Sequence, residues 1–62
     1  MMRIIKIFNT KAFLKEIIDF NPKSIFINMD TYLNIIKVEK IPEPVKVYIL
    51  SELPFGYVII SE

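Results

Sequence analysis

The side chains able to do chemistry in this sequence are seven carboxylates, eight cations and a few hydroxyls, with neither histidine nor cysteine among its 62 residues. Zinc and copper sites draw on imidazole or thiolate ligands, so both are excluded in their ordinary forms. A magnesium site would need Asp19 and Asp30 to converge with glutamates, but Asp19 reads as a helix-surface charge and Asp30 as a helix cap. Ser24, Ser51 and Ser61 have no histidine base, and no lysine is marked out as desolvated enough to replace one. The single glycine, Gly56, cannot build a phosphate-cradling loop. These residues predict a protein that is not an enzyme and carries no cofactor or metal, which leaves binding.

Two binding surfaces are suggested by residue type. Arg3, Lys6, Lys11, Lys15, Lys23, Lys37, Lys40 and Lys46 are interleaved with five phenylalanines and three tyrosines, and Tyr48 and Tyr57 fall in strand-like segments where bases could stack on them. The net charge of +1 gives no bulk attraction to nucleic acid, so this is the second reading. The first is protein association. Residues 57–61 contain neither proline nor charge to discourage another strand, and Leu53, Pro54 and Phe55 precede them as an apolar loop. The candidate interaction surface is therefore Leu53, Pro54, Phe55, Tyr57 and Ile59. Its expected occupant is a second copy of the chain, as a homo-oligomer, or another protein.

The elements that must position these residues follow from periodicity. Residues 3–8 are mostly β-branched or aromatic and predict a first strand. Asn9-Thr10 offers a cap, Phe13, Leu14, Ile17 and Ile18 form one stripe, and Pro22 ends the pattern, which predicts a helix over 10–21. Ile25, Ile27 and Met29 alternate with Ser24, Phe26 and Asn28, so 24–29 reads as a strand. Residues 30–38 fit helix or strand, and the spacing of Met29, Tyr32, Leu33 and Ile36 favours a short helix capped by Asn28 or Asp30. Two prolines make 39–44 a linker, and 45–50 and 57–61 are the last two strands. Gly56 is where the chain is expected to reverse, pairing those two strands as a C-terminal hairpin. The first or the last strand must then lie at an edge unless the sheet closes, and the uncharged last strand is the one whose edge is expected to be exposed. The fold class is a small single α+β domain over residues 1–62.

Composition adds a bound on stability. Area scaling for this length gives a folded surface of about 4,200 Å² and roughly 60% burial. Apolar burial then contributes on the order of 95 kcal/mol against an ordering cost of about 93 kcal/mol, a difference near zero. Yet 53% of the residues are hydrophobic and only 24% charged, the reverse of a disordered composition and a surplus of apolar side chains for so small an object. The longest uncharged run, residues 53–61, is about ten residues, too short for the roughly 18 of a membrane span, and no signal-peptide pattern is present. A soluble cytoplasmic protein with no membrane partner is expected.

Several short stretches occur in a suggestive order: Asn21-Pro22, the strand from Ile25 to Asn28, Asp30-Thr31-Tyr32-Leu33, Pro44-Val45-Lys46-Val47, and Leu53-Pro54-Phe55-Gly56 followed by Tyr57-Val58-Ile59-Ile60. In this order residues 21–62 resemble the axial domain of the major capsid proteins of tailed phages and of encapsulin shells. The resemblance implies that core fold and a viral or prophage source. Counterparts of the peripheral domain, extended loop and N-terminal arm are not seen, so a capsid-related structural piece is the third reading.

Overall fold

The computed structural model describes residues 1–36 and 45–62. Strand β1 is Met2–Lys6, helix α1 is Thr10–Phe20 and strand β2 is Ser24–Ile27. A helical turn, α2, spans Met29–Thr31 and widens into a π-helical turn over Tyr32–Ile36. Strands β3 (Lys46–Ile49) and β4 (Tyr57–Ser61) complete the fold. The protein is α+β, as its periodicities predict.

Helix α1 begins at Asn9, whose side chain accepts a hydrogen bond of 2.8 Å from the Ala12 N–H. It ends at Asn21 in the left-handed conformation (φ 53°, ψ 57°), whose N–H bonds to the Ile17 carbonyl. Phe13 and Ile17 are buried, but Ile18 is 73% exposed, so the predicted four-residue stripe is narrower than expected. The buried arc centres on Phe13 and Ile17, and Ile18 lies roughly 100° round from Ile17, on the solvent side. Residues 30–38 are helical as far as Ile36, and the cap is Asn28, not Asp30. Asn28 and Met29 therefore leave β2, which ends at Ile27. Residues 37 and 38 and the predicted 39–44 linker lie outside the described residues.

The four strands form one sheet in the order β1-β4-β2-β3. Strand β4 is antiparallel to both neighbours, and β2 and β3 are parallel. This corrects two expectations. Strands β3 and β4 do not form a hairpin, because β2 lies between them, and β4 is not an edge but an interior strand. The physical reason is the burial available to each strand. Val58 and Ile60 are fully buried, and an uncharged strand hides most apolar surface with a neighbour on either side. The edges fall to β1, with Arg3 and Lys6, and to β3, which is exposed along its whole length.

The β3-to-β4 connection must then cross the end of β2. Four hydrogen bonds hold it there. The Asn28 amide donates to the Ser51 carbonyl (3.3 Å) and the Leu53 carbonyl (3.1 Å), while its oxygen accepts from the Asp30 N–H (2.7 Å). The Gly56 N–H donates to the buried Thr31 hydroxyl (2.9 Å), and the Gly56 carbonyl accepts from the Ile7 N–H (2.7 Å). Gly56 has φ +87°, so the turn into β4 needs a residue without a Cβ.

The core lies between the sheet and the helices. Ile5, Ile7, Ile25, Ile27, Val58 and Ile60 meet Phe13, Ile17 and Ile35, and the Thr10 hydroxyl donates to the Ile35 carbonyl. The accessible surface of 4385 Å² is close to that expected for this length. Among the described residues no helix is long and apolar enough to cross a membrane. Ile17→Asp and Ile27→Asp each place a charge in this core and are expected to abolish cooperative thermal unfolding. A cooperative melt near the parent temperature for either variant would show the core assignment to be wrong.

Candidate interaction surface

Because side chains alternate along a strand, packing Ile5, Ile25, Ile27, Val58 and Ile60 against the helices turns their neighbours outward. The strand registers set Ile4 against Ile59, Ile59 against Phe26, and Phe26 against Tyr48. These four residues make one row across all four strands, on the face the helices do not cover. The row is open at its ends: Ile4 is 67% and Tyr48 46% exposed, while Ile59 and Phe26 are half-buried. Phe26 and Tyr48 stack with ring centroids 5.2 Å apart.

Mostly polar positions flank the row. On one side Met2, Ser61, Ser24 and Lys46 follow in register, and on the other Lys6 pairs with Tyr57. The Lys6 ammonium lies 5.5 Å from the centre of the Phe8 ring and 5.6 Å from that of Tyr57, a cation held between two aromatic faces. No carboxylate belongs to the described strand positions of this face. The surface is therefore apolar in the middle, aromatic at two places and cationic at two corners.

The five residues singled out from sequence divide between two places. Tyr57 and Ile59 lie on the bare face, half-buried because β4 has strands on both sides. Leu53, Pro54 and Phe55 lie in the crossing loop, with Leu53 half-buried and Pro54 and Phe55 exposed. The loop leads straight into the face, since the Tyr57 N–H bonds to the Pro54 carbonyl at 3.2 Å. Sequence reasoning missed Met2, Ile4, Phe8 and Phe26. A signal was present in the even-numbered positions of residues 2–8, which stay apolar apart from Lys6 although only the odd positions are needed for the core.

A second, separate feature is an open groove of about 590 Å³ along the outer side of α1, lined by Ala12, Leu14 and Ile18 with Lys11, Lys15 and Asp19. Among the described residues there is no cluster of three or more potential metal ligands. No family model, curated protein or solved structure matches the chain.

The crossing loop depends on Thr31, which is fully buried and whose hydroxyl is the only hydrogen-bond acceptor described for the Gly56 N–H. Thr31→Val keeps the shape and removes the acceptor, leaving a buried donor unpaired. It should cost about 1–3 kcal/mol, read as a lower midpoint in denaturant unfolding. A midpoint equal to that of the parent would mean that this bond does not hold the loop.

Proposed function

We propose that the protein is a non-enzymatic interaction module that works by associating with a second copy of itself, or docks another protein through the same surface. The observation that carries this reading is the apolar row Ile4, Ile59, Phe26 and Tyr48, which crosses the entire sheet on the face the helices leave bare. A small two-layer fold whose sheet, among the described residues, has one face free of helices and two unpaired edges has apolar surface to hide, and association hides it. The resemblance of residues 21–62 to capsid axial domains favours a viral or prophage source, and the expected compartment is the cytoplasm.

A second reading rests on a different observation. Lys6 between Phe8 and Tyr57, together with Lys46 beside the Phe26–Tyr48 stack, combines cations and rings as surfaces for single-stranded nucleic acid do. Two lysines on a chain of net charge +1 make a weak electrostatic footprint, which keeps this reading second.

Light scattering across a dilution series tests the first reading. The expected mass rises above the 7.3 kDa of one chain at high concentration and falls back on dilution. A constant monomer mass at every concentration, with no protein partner bound, would contradict it. A fluorescence titration with a labelled single strand at two salt concentrations tests the second. Binding that weakens steeply with salt supports nucleic-acid recognition, and no binding at low salt removes it.

A further inference from the structure

The hydrogen bonds of β1 show which of its backbone groups are free. The Ile7 N–H bonds to the Gly56 carbonyl and the Glu62 N–H to the Met1 carbonyl, so the odd-numbered residues turn their polar groups toward β4. In an antiparallel ladder a residue's N–H and C=O point the same way, and the next residue's point the opposite way. Met2, Ile4 and Lys6 therefore aim their N–H and C=O groups away from β4, where no described residue pairs with them. The other edge offers less. The Lys46 and Leu50 N–H groups bond to Lys23 and Ile27, which leaves β3 only Val47 and Ile49 facing outward.

We propose that two copies of the chain pair antiparallel through their β1 edges, in the register that sets Ile4 of one copy against Ile4 of the other. The inference rests on the self-association reading and names its geometry. In this register Met2 meets Lys6 and Arg3 meets Ile5, so all five residues of the strand pair and no cation faces a cation. Even-numbered residues meet even-numbered ones, and each outward N–H and C=O finds a partner. A slip of one residue would set outward groups against inward ones and send side chains to opposite faces. A slip of two residues toward the N-terminus would set Arg3 against Arg3, a destabilising like-charge pair. A slip of two the other way would take Met2 and Arg3 out of the strand-to-strand pairing.

The paired arrangement also accounts for the side chains. The two-fold axis stands perpendicular to the sheet, so both helical layers lie on one side and the two bare faces join. The row Ile4, Ile59, Phe26 and Tyr48 then continues into its copy through two adjacent isoleucines, each 67% exposed in the single chain. Stacking the bare faces on each other instead would press Lys6 and Lys46 into an apolar interface that has no carboxylate among the described strand positions to receive them. Edge pairing leaves both lysines in water.

The chain has no cysteine, so single cysteines report pairing directly. Opposed residues in such a pair have Cα atoms about 5.5 Å apart, within disulfide range. Under mild oxidation Ile4→Cys is expected to give a covalent dimer on a non-reducing gel. Lys6→Cys, whose counterpart lies roughly 13 Å along the strand, is expected to stay monomeric. Ile4→Pro removes an N–H that no described residue of the monomer accepts, a position where edge strands accept proline. It should keep the single-chain circular dichroism spectrum while raising the dimer dissociation constant at least tenfold. If the parent is a dimer by light scattering yet Ile4→Cys does not cross-link, or Lys6→Cys cross-links as fast, the register proposed here is overturned and self-association stands. A parent that stays monomeric at all concentrations overturns both.

Discussion

The side chain of Asn28 sits at the end of β2, where three segments converge, and uses both ends of its amide there. Its oxygen caps α2 through the Asp30 N–H, and its nitrogen holds the Ser51 and Leu53 carbonyls of the connection crossing above. One residue thus ends a strand, begins a helical turn and fixes the path of the chain from β3 to β4. The connection held in this way leads β4 to its place between β1 and β2. Thr31 and Gly56 secure the far side of the same crossing, with Gly56 in a left-handed conformation that a side chain would strain.

From the position of β4 the remaining layout follows. An interior β4 buries Val58 and Ile60 completely and brings Ile59 and Tyr57 onto the uncovered face between strands from distant parts of the sequence. It also forces β1 to the edge. Part of the apolar surplus of the composition thereby lies on β1 and the bare face, as exposed Met2, Ile4 and Tyr48, and the marginal stability expected of so short a chain makes hiding it worth more than it would be in a larger domain.

Much of this was legible in the residues. Asn9 and Pro22 bracket α1, and the alternation of Ile25 and Ile27 with Ser24 and Phe26 marks β2, because capping chemistry and side-chain periodicity are local. The helical choice for residues 30–38 followed from a period that reaches Ile36. Strand order was not legible in the same way. Pairing β3 with β4 is the shortest connection, and what overrides it is the complete burial of Val58 and Ile60 in an interior strand, with side chain to backbone bonds spanning 23 to 25 residues, from Asn28 and Thr31, holding the crossing loop in place. The candidate surface shared this fate. Tyr57 and Ile59 were found from their types, whereas Ile4 and Phe26 join them only once the registers are known.

Among the described residues β1 is a free edge, with β4 inside the sheet, and a second copy is proposed to close that edge. Amide hydrogen exchange followed by NMR at two protein concentrations tests it most directly. In dilute solution the amides of β4 should be protected along the strand, while those of Ile4 and Lys6 exchange rapidly beside a protected Ile5. At high concentration Ile4 and Lys6 should become protected, with Val47 and Ile49 still exchanging fast. Protection of Ile4 and Lys6 that does not change with concentration, or protection that appears at Val47 and Ile49 instead, would contradict the account.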